Sequence, residues 1–163
     1  MRADTVIKND NKQQSFYEYV VGVGTMHDTG YASSPEAAKV AVECLREYMA
    51  GFGERNPQFH VFNAVIHQDE ATPHLHYDMI PYADGMKKGM TRQQGINKAL
   101  EQMGYGTGKQ AIANFTQSER KVFREICEAH GIEIAEETKG RGQTYSCCLL
   151  YTSPSPRDIS GSR

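Results

Sequence analysis

The stretch Phe59-His60-Val61-Phe62-Asn63-Ala64-Val65-Ile66-His67, then Gln68-Asp69-Glu70-Ala71-Thr72-Pro73, then His74-Leu75-His76-Tyr77-Asp78-Met79-Ile80-Pro81, decides the fold of this chain. Residues 59–67 are rich in aromatic and β-branched types with apolar positions on both faces, which predicts a central strand. Residues 74–81 predict a second strand. The connection between them is short, so the two strands pair antiparallel. Its last residue, Pro73, restricts Thr72 to extended conformations. On the second strand His74 and His76 stand two apart and share a face, which Asp78 and Ile80 continue. Leu75, Tyr77 and Met79 point the other way, into a core. His67 ends the partner strand and reaches the same spot across the ladder.

Outward from this pair, residues 16–23 are aromatic and β-branched and predict another strand. Residues 25–34 read as a loop. Ser34-Pro35-Glu36 marks a helix start, with Ser34 as N-cap and Pro35 at the first helical position. Ala38, Ala41, Val42, Leu45, Tyr48, Met49 and Phe52 follow at spacings of three and four, giving one apolar face that ends around Gly51 or Gly53. Residues 82–85 form a turn. Residues 92–103 predict a short helix stopped by Gly104. Residues 106–109 predict a flexible loop. Thr116-Gln117-Ser118-Glu119 matches a capping box, opening a last helix with Val122, Phe123, Ile126 and Ala129 as its stripe. Residues 132–134 are expected to return to the sheet. The fold class is therefore α+β: an antiparallel β-sheet flanked by helices.

The chain has 163 residues, enough for one domain with a core. A net charge of −2 gives no bulk attraction to nucleic acid, so any such binding needs a local basic patch. Lys87, Lys88 and Arg92, just after the second histidine strand, are the candidates, with Lys98 and Lys109 further on. No apolar run approaches the roughly 20 residues of a membrane helix, and no signal peptide is visible. The expected location is cytoplasmic, with Cys44 and Cys127 as reduced, buried thiols. Residues 148–158 back-translate without mismatch into the transposon end and adapter of sequencing libraries, and residues 159–163 fit its continuation. Residues 148–163 are therefore expected to be adapter read-through rather than natural protein, leaving 1–147 as a partial domain incomplete at both ends. Cys147-Cys148 is accordingly not read as a metal or redox pair.

Three of the six histidines, with two acids, lie in residues 67–76. Three neutral imidazoles converging from two adjacent strands make a metal site with positions left for water or a substrate oxygen. Asp69 or Glu70 can orient a histidine or act as a base. The competing reading is a strand with solvent-exposed histidines and no metal. His27, His130 and His60 read as structural or solvated, and His60 is expected to face away from His67.

The element His74-Leu75-His76, a His-hydrophobic-His unit on a strand, resembles the hallmark of the HUH endonuclease fold. The larger string His67-x-x-Glu70-x-x-Pro73-His74-x-His76 resembles the third motif of plasmid mobilisation relaxases of the Pre/Mob (MobV) family. The resemblance extends over residues 4–140. It implies a divalent ion, Mn²⁺ or Mg²⁺, held by His67, His74 and His76. It implies single-stranded DNA at a plasmid origin of transfer as partner, nicked and rejoined by transesterification. Glu70 matches the motif acid that supports the nucleophile.

The family's nucleophile lies in an N-terminal motif, and residues 1–15 hold no histidine. The nucleophile is therefore expected upstream of Met1, and this chain is expected to bind metal without nicking DNA efficiently. Tyr17 and Tyr19 are alternatives whose apolar strand context favours core packing. A rolling-circle replication initiator of the same fold would need Tyr105 as nucleophile. A non-catalytic metal- or DNA-binding module is the alternative of a different class.

Overall fold

The computed structural model describes residues 14–134 and the backbone of residues 148–152. Residues 59–81 form the expected antiparallel pair, β2 (Phe59–His67) and β3 (His74–Ala83), but β2 lies at the edge of the sheet among the described residues, with much of it exposed, and is not the central strand expected. β1 (Tyr17–Gly22) pairs antiparallel with the other side of β3. The sheet order is β2-β3-β1-β5, where β5 is Cys148–Thr152, and the two-residue β4 (Gln93–Gln94) pairs with the far end of β3. The helices are α1 (Pro35–Ala50), α2 (Phe52–Arg55), α3 (Ile96–Gln102) and α4 (Gly108–Ala129). The α+β class with an antiparallel sheet is as the sequence predicts.

Alternation along β3 divides the two faces. Leu75, Tyr77 and Met79 are essentially sealed from solvent, while His74, His76, Asp78 and Ile80 are half-buried. The helices cover the first face. Tyr77 stacks on Tyr19 of β1, and its ring lies 5.0 Å from Phe52 of α2 and 6.5 Å from Tyr48 of α1. Phe115 of α4 meets Tyr19 and Phe59 edge-on, a favoured geometry for aromatic pairs. Cys44 and Cys127 are buried free thiols, as expected. An antiparallel sheet with one packed and one solvated face accounts for the alternation. Among the described residues, no helix is long and apolar enough to cross a membrane.

Ser34 is the N-cap residue of α1 and Pro35 opens the helix, although no cap hydrogen bond comes from the Ser34 side chain. Gly104, at φ +84°, ends α3, where the Tyr105 amide donates to the Leu100 carbonyl. The helix predicted over 92–103 starts only at Ile96, because residues 93–94 pair with β3 instead.

Other expectations fail: residues 108–109 of the expected 106–109 loop already belong to α4, and Tyr82 and Ala83 of the expected 82–85 turn belong to β3. The Thr116–Glu119 string opens no helix: α4 is continuous from Gly108, and Glu119 is buried in its interior. Ala111, Phe115, Glu119, Phe123 and Cys127 recur every fourth residue as one buried stripe. The Glu119 carboxylate turns inward to accept from Arg55 Nη2 (3.1 Å) and Asn56 Nδ2 (3.0 Å), rather than back along its own helix. Residues 132–134 form no strand. Gly131, at φ +83°, turns the chain so that the Ile132 amide donates to the Cys127 carbonyl, and Ile132 and Ile134 pack on the core. The free edge of β1 pairs with β5 instead. That pairing uses main-chain groups that any extended segment supplies, so it carries no information on the origin of residues 148–163.

Glu119 joins α4 to the α2 end through a largely desolvated ion pair. Breaking such a pair by removing one partner leaves a buried charge uncompensated. Glu119→Ala is expected to destabilise the domain by about 3 kcal/mol, read from the denaturant midpoint. Glu36→Ala, which breaks the exposed pair with Lys39, is expected to change stability by less than about 0.5 kcal/mol.

Candidate metal centre

The β2–β3 register sets His67 directly opposite His74 and places Val65 opposite His76. All three imidazoles therefore lie on the face that the helices leave open. Their ring centroids are 5.1 Å (His67–His74), 4.7 Å (His67–His76) and 5.1 Å (His74–His76) apart. On the β1 side His74 is opposed by Gly22. The missing side chain there keeps space beside the histidine open; a Cβ on Gly22 would sit 3.6 Å from that of His74.

Glu70, on the connection between the strands, is exposed and leans over two of the rings. Its carboxylate oxygens lie 3.8 Å from His67 Nδ1 and 3.8 Å from His74 Nε2. That is too long for a hydrogen bond. It suits two ligands of one ion, since bonds of about 2.1 Å place neighbouring ligand atoms roughly 3–4 Å apart. One ligand atom each from His67, Glu70 and His74 lie within 4.8 Å of one another, a group that could hold a metal ion. His76 stands beside this group rather than inside it.

The ring nitrogens that turn away from the cluster are held. His74 Nδ1 lies 3.0 Å from the Thr72 carbonyl, and His76 Nδ1 lies 2.9 Å from Glu18 Oε1. A carbonyl can only accept, so Nδ1 of His74 carries a proton, and Nε2 is the nitrogen that can coordinate when the ring is neutral. The connecting loop is itself anchored: the Tyr31 amide donates to the Ala71 carbonyl, and Thr29 Oγ1 donates to the Val23 carbonyl at the end of β1. Pro73 is buried.

Two features escape a reading of the sequence. Glu18 lies 58 residues from His76, and only strand order brings β1 beside β3. His60 does not face away from His67, as alternation alone predicts. A bulge between Val61 and Asn63 resets the register, so His60 pairs with Ile80 and shares the histidine face. The extra residue, Phe62, restores the phase that strict period two would have inverted. Asn63 then donates to Asp78 at 2.9 Å on that same face.

The candidate DNA-binding residues are close to the histidines in sequence and far in space. Nine steps along β3 at ~3.3 Å each put Ala83, after which the chain leaves for Lys87, Lys88 and Arg92, about 30 Å from His74. Lys87 and Lys88 are exposed. Arg92 is engaged by Asp84 through two hydrogen bonds of 2.7 and 3.0 Å and lies over the Tyr82 ring. The hydrogen bond from Arg92 holds the Asp84 carboxyl below its ordinary pKa. Neither alternative nucleophile on β1 faces the histidines: Tyr17 and Tyr19 pair with Met79 and Tyr77 on the core side. Tyr105 also belongs to the helical layer, donating to Asn56 Oδ1 and packing on Phe115.

An antiparallel sheet with an open face and a metal-competent histidine cluster at one end defines the class of domain. The family comparison makes it particular. Residues 8–126 match the family model described as plasmid recombination enzyme, and the chain belongs to that family. Among curated relatives it is 28% identical over 112 residues to plasmid recombination enzyme type 3 of Staphylococcus aureus, covering 60% of this chain and 26% of that protein. It is likewise 28% identical over 113 residues to plasmid recombination enzyme type 3 of Mammaliicoccus lentus, with the same coverage. The chain thus spans about a quarter of the length of these relatives. No solved structure gives a significant match.

The distance between the two features yields a separable outcome. Changing Lys87 and Lys88 to Ala together is expected to leave Mn²⁺ affinity unchanged. If they meet DNA phosphates, the salt slope of single-stranded DNA binding falls by about one unit per lysine, measured by anisotropy at several salt concentrations.

Proposed function

We propose that this chain carries the metal-binding part of an HUH-type plasmid relaxase, which nicks and rejoins single-stranded DNA at an origin of transfer in the cytoplasm. The observation that carries the reading is the convergence of His67, His74 and His76 with Glu70 on the open face of the sheet. Family membership supports the role in plasmid mobilisation or recombination.

The donor set fits a divalent ion. Three imidazoles and a carboxylate suit Mn²⁺ better than Mg²⁺, which prefers an all-oxygen octahedron with several waters. His67, His74 and His76 would hold the ion, and Glu70 either completes the set or serves as the acid that supports the nucleophile. A bound ion would supply positive charge to a phosphoryl oxygen as charge develops there. The protein residues do the rest. β2 and β3 fix the rings, the Thr72 carbonyl sets the His74 tautomer, and the open face leaves room for a strand of DNA. The exposed Glu70 oxygens can take a proton from an incoming hydroxyl or imidazole. The nucleophile itself is proposed to come from outside the described residues, since Tyr17, Tyr19 and Tyr105 all belong to the core side. Residues 148–163 are proposed to be adapter-derived and to contribute nothing to the chemistry.

The test pairs binding with cleavage. The chain is expected to bind one Mn²⁺ by titration calorimetry, and His74→Ala to weaken that binding at least 100-fold. A library of single-stranded oligonucleotides is expected to remain uncut by the chain with Mn²⁺ present. Failure to bind Mn²⁺ would discard the metal reading. Efficient site-specific cleavage would discard the placement of the nucleophile elsewhere.

A further inference from the structure

We infer that Glu18 is a positioning residue for His76, holding its ring so that Nε2 serves as a ligand; the inference rests on the metal reading above. Glu18 Oε1 lies 2.9 Å from His76 Nδ1, the length of a strong hydrogen bond to an ionised acceptor. A carboxylate can only accept, so Nδ1 carries a proton and Nε2 is the nitrogen that can coordinate when the ring is neutral.

The arrangement differs from that of the neighbouring ligand. His74 Nδ1 meets a neutral backbone carbonyl from its own loop, whereas His76 Nδ1 meets a charged group from a different strand. A carboxylate partner raises the basicity of the imidazole behind which it stands and fixes the ring plane. Val20 and Val65 flank His76 in the register on either side. These short apolar side chains offer Nδ1 no competing partner.

The position has a cost that a merely structural residue would avoid. Glu18 stands directly across from Asp78 on the same face, and like charges in cross-strand positions repel. Asp78 is occupied by Asn63 on its other side. An apolar or neutral residue at position 18 would suit the strand better.

The experiment measures Mn²⁺ affinity by the free-ion electron paramagnetic resonance signal for the chain, Glu18→Gln, Glu18→Ala and His74→Ala. It also measures the ¹⁵N shifts of the histidine rings without metal. Second-shell losses run about 10–100-fold. Glu18→Ala is expected near the upper end, and Glu18→Gln, which keeps an acceptor but not the charge, nearer 10-fold. The ring shifts should show His76 with its proton on Nδ1 in the parent chain and a mixed tautomer in Glu18→Ala, with His74 unchanged. If the parent binds Mn²⁺, His74→Ala abolishes binding and both Glu18 variants bind as the parent does, the role of Glu18 is refuted while the metal site stands. If the parent binds no Mn²⁺, the metal reading falls and takes this inference with it. Should Glu18→Ala fail to fold, the near-isosteric Glu18→Gln and the ring shifts of the parent chain decide the matter.

Discussion

The pairing of His67 with His74 across the ends of β2 and β3 is the constraint on which the rest of the domain depends. Because the side-chain period of a strand is two, a register slip of one residue would send every outward group inward. Here it would bury three imidazoles and expose Leu75, Tyr77 and Met79. Burying a large apolar side chain is worth ~1.5–3 kcal/mol, so these three residues together hold the register firmly. The hydrophobic core thus positions the histidine cluster on the opposite face of the sheet.

The same division orders the helices. α1, α2 and α4 deliver Tyr48, Phe52 and Phe115 to the Tyr19–Tyr77 stack on one face of the sheet. A polar clasp closes that layer. Glu119 in the middle of α4 is satisfied by Arg55 and Asn56, and Arg55 Nη2 also donates to the Tyr48 carbonyl. Among the described residues the helices lie on one side of the sheet, and His74, His76, Asp78, Ile80 and Tyr82 of β3 share the other. The loop after β3 that carries Lys87 and Lys88 is separated from the histidine cluster by the length of the strand.

Much of this was legible in the residues themselves. β3, β1 and α1 follow from apolar periodicity and punctuation, because in each the local pattern agrees with the tertiary fold; β2 was legible as a strand but not as the edge strand it is. The fault at Thr116–Glu119 is instructive. A hydroxyl followed three residues on by a carboxylate signals a helix start only where backbone amides lack partners. Within α4 those amides already have partners, and Glu119 is claimed by Arg55, 64 residues away. Residues 132–134 have strand-forming side chains, but Gly131 turns them so that Ile132 and Ile134 pack on the core instead.

The sequence by itself determined that His67, His74 and His76 converge, since two strands joined by a six-residue connection leave little choice of geometry. It also determined the core face of β3 and the resemblance of the motif to a family that the whole-chain comparison then bore out. Only the tertiary structure decided which acids serve the histidines and which surface they share. Glu18 reaches His76 because β1 lies against β3, and His60 joins the histidine face because a bulge at Phe62 shifts the ladder. Both are outcomes of pairing between distant segments. Periodicity is a property of one strand, whereas strand order and bulges are settled by the competition of all strands for one core.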